Sequence, residues 1–499
     1  MGCWGMLEVS EVGNAIDKNE YEAAIPDLRV GLINAQYDLR DADFPVVIWI
    51  AGDDRLAANA LVNRLNEWMD SRYADTRVFA DPTDEEYQRP QLWRLWRSLP
   101  PKGRAAFFVG GLMRAASLRA EGEIDEPEFS LWLRHVAGMQ HALVADGALI
   151  LKFFLHTPAK VQKKKLKKAE KHPESGWQVD QRDWAALDSL GPVLPIAERI
   201  LRETSGPGAP WTIVESTDSR YRDLTVARTI LAALTTRLAE ESRPPGLSVA
   251  ESVFGDIDAA SDVLSGVDLS RTLDKDSYRE KLAKQQARLH RLTIEARERG
   301  VGTVLAFEGW DAAGKGGLIR RITGAMEAGD YRVIPVAAPT EEERKYHYLW
   351  RFWRDLPLAG KVVIFDRTWY GRVLVERVEG FAARAEWQRA YDEINDFESQ
   401  LVERGYYVAK FWLHISPEEQ LARFTAREQT AYKSHKITEE DYRNRERWDD
   451  YVKAVDQTIL RTTSDSAPWH VIAANDKRLA RVTALKAVNE GLARVLRQR

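Results

Sequence analysis

The sequence predicts an α/β protein built twice over, as two homologous domains that are each a parallel β-sheet flanked by helices. Three observations carry this reading. At 499 residues the chain is too long for one ordinary domain and suits two. A single register relates its two halves over almost their whole length. Within each half, short apolar runs alternate with amphipathic stretches, the pattern of a parallel sheet covered by helices.

The register comes first, because a repeat decides the architecture. A shift of 257 positions pairs Tyr21 with Tyr278, Leu32 with Leu289, Gly52 with Gly309 and Asp54 with Asp311. It also pairs PTDEE (82–86) with PTEEE (339–343), and LWRLWRSLPPKG (92–103) with LWRFWRDLPLAG (349–360), without a gap from Tyr21 to Arg114. After one inserted residue, LKFFLH (151–156) meets AKFWLH (409–414) and APW (209–211) meets APW (467–469). The boundary falls at ESRPPGLSVAES (241–252), where paired prolines and Gly246 stop the preceding helical pattern. The expected domains are residues 1–245 and 246–499, with 253–275 as linker or an added helix.

In the second copy the runs TVLAFE (303–308), YRVIPV (331–336), KVVIFD (361–366), VAKFWLHI (408–415) and WHVIAA (469–474) read as strands buried on both faces. Helical patterns occupy 317–328, 341–355, 386–404, 417–429 and 439–461. Trp350 and Trp353, three apart on one of these, read as core.

Composition narrows the function classes. An apolar fraction of 44% gives each half a real core, and a formal charge of −4 gives no reason to expect wholesale nucleic-acid or membrane binding. With Cys3 as the single cysteine no internal disulfide forms, and a reducing, cytoplasmic setting is the simplest expectation. MGCWGMLEVS lacks the regions of a signal peptide, and Met6 stands where a myristoylation motif needs Ser or Thr. No apolar run approaches the ~20 residues of a membrane helix, and LILKFFL (149–155) is broken by Lys152.

The chemistry concentrates in GWDAAGKGG (309–317), between a predicted strand and a predicted helix. That is the setting of a phosphate-binding P-loop. Gly309, Gly314, Gly316 and Gly317 let the backbone curl close to an anion, so that the amides of this stretch, Ala312 and Ala313 included, face phosphate oxygens. Lys315 places a positive charge where phosphoryl transfer develops negative charge. Gly316 replaces the usual Ser/Thr, so a metal needs another ligand, and Asp311 is the nearest candidate. KVVIFDRTWYGR (361–372) supplies a second motif: Asp366 at a strand's end to position metal, and Arg367 to meet phosphate, rather than a surface ion pair.

A third region, LARFTAREQTAYKSHKITEEDYRNR (421–445), carries Arg423, Arg427, Lys433 and Lys436. It reads as a mobile lid that wraps a polyanion, or as a solvated charged helix. His414 and His435 read as structural or incidental, and no His/Cys cluster has metal-ligand spacing.

The same register shows what the first copy lacks. Lys315 becomes Ala58, Gly314 becomes Ala57, Gly316 becomes Asn59, Asp366 becomes Val109 and Arg367 becomes Gly110, while Gly52 and Asp54 remain. Catalysis is therefore expected from the second copy alone. In the first, KVQKKKLKKAEKH (160–172) lies where the lid would be; it reads as a solvated face, or alternatively as a basic track that guides a long anion.

GWDAAGKGG, IFDRTWYGR, VERVEGF (375–381), LWRFWRDLP and APWHVIAANDKRLAR (467–481) together resemble the polyphosphate kinase 2 family, over most of 278–482, with the degenerate copy covering about 21–222. A fused pair with an intact second copy resembles its two-domain subgroup. The resemblance implies two P-loop kinase-like domains of thymidylate kinase type with a helical lid, and transfer of the terminal phosphoryl group of inorganic polyphosphate to AMP, giving ADP. It implies that Lys315 and the loop amides grip phosphate, that Asp311 and Asp366 place Mg²⁺, that Arg367 neutralises the transferring group, and that Arg423, Arg427, Lys433 and Lys436 line the donor's path. YKSHKIT departs from the family's lid, with His435 where a tryptophan is expected. An ATP-dependent nucleoside monophosphate kinase and a non-catalytic phosphate or nucleotide sensor are the rival readings. AMP against ADP as acceptor, and association into a homo-oligomer, stay open.

Overall fold

The computed structural model describes residues 6–171, 179–240, 262–429 and 445–498. They form two compact units, residues 1–82, 94–247 and 344–347 in the first and 83–93, 248–343 and 348–499 in the second.

Each unit is built on a five-stranded parallel sheet. The first contains β1 (Val46–Gly52), β2 (Ala74–Phe79), β3 (Ala105–Gly110), β4 (Leu149–His156) and β5 (Trp211–Glu215), in the order β2-β3-β1-β4-β5. The second contains β6 (Thr303–Gly309), β7 (Tyr331–Pro335), β8 (Val362–Asp366), β9 (Tyr407–His414) and β10 (Trp469–Ala473), in the equivalent order β7-β8-β6-β9-β10. The central strands VVIWIAG and TVLAFEG are buried except at their last residue. Helices on both faces explain why these runs are continuously apolar rather than alternating.

A long helix precedes each first strand: Lys18–Leu39, capped by Asp17, and Lys275–Glu298, capped by Asp274. The second begins where the stretch that the sequence left as linker or helix, 253–275, ends. The glycine that ends each central strand is fixed by close packing. A Cβ on Gly309 would lie 2.6 Å from the Leu413 carbonyl oxygen of β9, and one on Gly52 would lie 2.5 Å from that of Leu155 in β4. No side chain fits there, so both copies keep glycine.

The five expected strands of the second copy are present, but β7 is not buried on both faces as expected: it is the edge strand of the sheet, and Arg332, Val333 and Pro335 are exposed. The expected helix 341–355 is instead a 3₁₀ turn, Glu343–Lys345, followed by a short helix, Trp350–Arg354. Arg351 and Arg354 reach back to the Glu343 carboxylate at 3.3 and 3.2 Å, folding the short helix onto the turn, and Trp350 and Trp353 are buried in the core. Of the expected helix 439–461, Trp448–Thr462 is helical, and 439–444 lie outside the described residues. No helix among the described residues is long and apolar enough to cross a membrane.

Candidate functional site

The site assembles where neighbouring strands β6 and β8 end. In open α/β sheets this carboxyl edge is where ligands bind. Phe307 and Asp366 are register partners across the two strands, so the loop after β6 and the motif after β8 leave the sheet side by side.

The loop is open and then enters a helix. Ala312 has φ 64° and Gly314 has φ 109°, and the helix Lys315–Thr323 begins with Gly314 as an N-cap that makes no side-chain bond. Its first amide groups are therefore not filled by a capping side chain, which suits an anion. Lys315 Nζ donates to the Gly309 carbonyl oxygen at 2.6 Å, so the lysine curls back over the loop. A Cβ on Gly316 would meet nothing within 4 Å, whereas one on Gly317 would lie 3.3 Å from Arg481.

The strand-end motif is held in a strained turn. Arg367 has φ 65°, and with Ala312 it is one of only two non-glycine residues at positive φ among the described residues. A branched or long side chain rarely adopts that conformation, and such strain concentrates at functional sites. Its amide donates to the Phe307 carbonyl oxygen at 3.0 Å, and its guanidinium donates to Asp311 Oδ1 at 3.1 Å. The two motifs thus touch through their charged residues. Asp366 has no hydrogen-bond partner for its carboxylate among the described residues.

A buried wall fixes the motif from behind. Trp369 Nε1 and the Tyr370 hydroxyl both donate to Glu398 Oε1, at 3.0 and 2.6 Å, and Lys410 Nζ donates to Glu398 Oε2 at 2.6 Å. All four residues are buried, so the carboxylate needs these donors. Burial and the neighbouring Glu398 charge hold the Tyr370 hydroxyl well above its usual range, so it donates as a neutral phenol.

One expected site residue, Arg423, makes contacts that its sequence position did not display, and further residues join the site. The sequence reading put Arg423 on the donor's path. The structure buries it, with Nη1 donating to the carbonyl oxygens of Ala312 and Ala313 at 2.9 Å each and Nη2 to those of Ala474 and Asn475 at 2.7 and 2.8 Å. Its Nε pairs with Glu419 at 2.6 Å. Every nitrogen is used, so Arg423 positions the loop. Burial lowers its pKa, Glu419 opposes this, and the charges of Arg427 and Arg481 add to the lowering. Arg427, on the same helix (Pro417–Glu428), is half-buried and has no side-chain partner among the described residues. Lys433 and Lys436 lie outside the described residues.

Glu308 escaped the sequence reading. It is buried directly before the loop and accepts from the Thr368 hydroxyl at 2.7 Å. Burial pushes its carboxyl up, against the pull of the Lys315 charge, the Thr368 bond and Arg367. The signal was an acid ending an otherwise apolar strand. Arg481 and Lys477, in the tail NDKRLAR, were likewise not assigned, and their charges bear on Arg423 and on each other. His414 is structural, as expected: its Nδ1 accepts from Trp310 Nε1 at 3.0 Å, and burial pushes its pKa down to about 4. Trp310 also stacks on Trp448 at 3.6 Å, pinning the following helix to the loop.

This arrangement matches a known family. The family model described as "Polyphosphate kinase 2 (PPK2)" matches residues 15–242 and again 272–499. The chain belongs to the polyphosphate kinase 2 family. It is 46% identical over 489 residues to a polyphosphate:AMP phosphotransferase of Pseudomonas aeruginosa, covering 98% of each chain, and 42% identical to one of Pseudomonas syringae pv. tomato, again over 98% of each. The crystal structure of a polyphosphate kinase 2 from Pseudomonas aeruginosa PA01 superposes with a TM-score of 0.88 at 44% identity, covering 99% of this chain and 100% of that one. The family model's two matches fall on the two halves that the internal register relates.

As a metal site the pair Asp311 and Asp366 offers hard oxygen ligands. Among the described residues no group of three or more His, Cys, Asp and Glu side chains is placed to hold a metal. Two carboxylates with substrate phosphates and water fit magnesium, which is seldom enclosed by protein ligands alone.

Proposed function

We propose that this protein transfers the terminal phosphoryl group of inorganic polyphosphate to AMP, forming ADP, and that the second copy, residues 246–499, performs the chemistry. The observation that carries the reading is the meeting of Asp311 and Arg367 at the ends of β6 and β8, beside Lys315 and Asp366. The printed names of the two Pseudomonas relatives supply donor and acceptor.

Donor and acceptor are both anions, so their approach is opposed until charge is neutralised, and positioning with charge compensation supplies most of the catalysis. The open loop amides and the helix end at Lys315 grip phosphate. Lys315 exchanges its contact with the Gly309 carbonyl for a phosphate oxygen. Arg367, released from Asp311, turns to the transferring group. Asp311 and Asp366 would then hold Mg²⁺, which when bound offsets charge on the phosphates. Trp369, Tyr370 and Glu398 keep the strand end from shifting as these charges rearrange, and Arg423 does the same for the loop. No residue needs to form a covalent intermediate.

The test is a donor–acceptor matrix: purified chain with AMP, ADP or GMP against polyphosphate or ATP, with Mg²⁺ present or chelated. ADP from AMP and polyphosphate, lost on chelation, is the expected result. ADP formed with ATP alone and none with polyphosphate would overturn the choice of donor in favour of the nucleoside monophosphate kinase reading.

A further inference from the structure

The helix Ala159–Lys171 in the first unit has a face that the reaction does not use. Lys160, Lys163, Lys164, Lys167, Lys168 and Lys171 are all exposed, and they recur at spacings of three and four. That spacing places them on one side of a helix, along about 16 Å of its length. The opposite side is anchored: Leu166 packs with Leu187 and Leu190, Gln162 donates to Asp53 at 3.0 Å, and Lys165 donates to the Ser216 carbonyl oxygen at 2.9 Å. The six lysines therefore stand on a fixed rod.

None of the six is in an ion pair among the described residues. The helix's one carboxylate, Glu170, accepts from Trp184 Nε1 at 2.7 Å. Like charges at these spacings weaken a helix, and a merely solvated face mixes signs. The catalytic copy shows the contrast. In its equivalent helix, Pro417–Glu428 and the residue after it, the same positions are Glu418, Leu421, Ala422, Thr425, Ala426 and Gln429, without one cation. The inward Gln162 and Lys165 do have counterparts, Gln420 and Arg423. At these six outward positions, cations thus occur only in the copy that lacks the catalytic groups.

We propose that this lysine face is a second binding surface for inorganic polyphosphate, a tether that holds long chains on the protein independently of the site of transfer. The proposal rests on polyphosphate being the donor. A row of evenly spaced point charges suits a row of phosphates, which has no base to stack or read. The helix has no aromatic residue of the kind that single-stranded nucleic-acid sites use, and it presents no exposed large apolar residue to a membrane, Leu166 being buried and Val161 half-buried.

The test uses the full chain with Lys163, Lys164, Lys167 and Lys168 each changed to Gln. Binding of labelled long-chain polyphosphate without AMP should weaken about tenfold near physiological salt, and the slope of log affinity against log salt should fall by up to about 3. KM for long-chain polyphosphate should rise with it, while kcat and KM for tripolyphosphate stay unchanged and thermal stability does not fall. Equal binding by variant and wild type would overturn the tether, as would an equal loss with tripolyphosphate. An oligonucleotide of matched charge that binds as tightly as polyphosphate, and loses as much, would overturn the assignment of ligand. Absence of turnover with any polyphosphate in the wild type would refute the donor assignment instead, and the binding arm would still decide whether the face holds the polymer.

Discussion

After β6 the chain stays open for several residues before its helix begins at Lys315, whereas after β1 the equivalent helix begins at Arg55, the counterpart of Ala312, three positions earlier. The first copy has wound its phosphate loop into helix. Asp54, counterpart of Asp311, caps that helix and accepts from the Ala57 amide at 3.0 Å. A carboxylate of the protein thus occupies the helix end where an anion would bind. In the second copy the same aspartate reaches across to Arg367 instead. The comparison teaches that the first copy lost the open loop amides together with the lysine, so restoring one side chain cannot restore the site.

The turn after β3 adds to this. Gly110, counterpart of Arg367, keeps a positive φ of 74°. The backbone shape survives without strain because glycine bears no Cβ. Behind it, Trp369 and Tyr370 are replaced by Leu112 and Met113, which donate nothing, and Glu398 by Gln140. The buried lysine remains: Lys152 donates to Gln140 Oε1 at 2.7 Å and to the Thr204 carbonyl oxygen at 2.6 Å, as Lys410 does to Glu398 and Thr462. With an amide in place of a carboxylate, burial pushes Lys152 down to about 7.

The largest effect expected from breaking this contrast is in the second copy. Asp366→Ala should lower turnover at least ~100-fold, the scale of lost transition-state charge stabilisation, with thermal stability retained; steady-state ADP formation reads it. Arg367→Gly copies the first unit's solution. It should lower turnover nearly as far while raising stability by roughly 1 kcal/mol through relief of the left-handed strain; denaturant unfolding that shows a loss of stability would mean the turn is not strained.

A smaller effect is expected at Lys152. Its folded pKa lies below its unfolded value, so the unfolded chain holds a proton that the fold lacks between pH 7 and about 10. Its contribution to stability falls as pH drops through that window. Gln140→Glu should restore a charged partner and stabilise β4 by roughly 1 kcal/mol at pH 7, read as slower amide exchange. Unchanged or faster exchange would show that the amide already satisfies the lysine. The smallest effect is none: Ala58→Lys should leave turnover at wild-type level, because Asp54 still caps the helix and Val109 and Gly110 remain. A measurable gain would mean the first site is only one residue from function.

Much of this was legible in the sequence. The duplication showed as a register, the strands as apolar runs, and the loop as glycines and a lysine between strand and helix. Other features depend on three-dimensional partners that no spacing displays. Arg423 looked like a free cation because its carbonyl partners lie about 50 and 110 positions away. Glu308 looked like the polar end of a strand until Thr368 arrived beside it. The winding of the first loop was hidden because its cap, Asp54, is one of the residues that did not change.

The central claim is that all the phosphoryl-transfer groups belong to the second copy. Polyphosphate-dependent ADP formation by the full-length Lys315→Ala chain, with the first unit untouched, tests it most directly. The account predicts a fall of at least ~100-fold in a protein that melts like wild type. Turnover near the wild-type rate in that variant would contradict it.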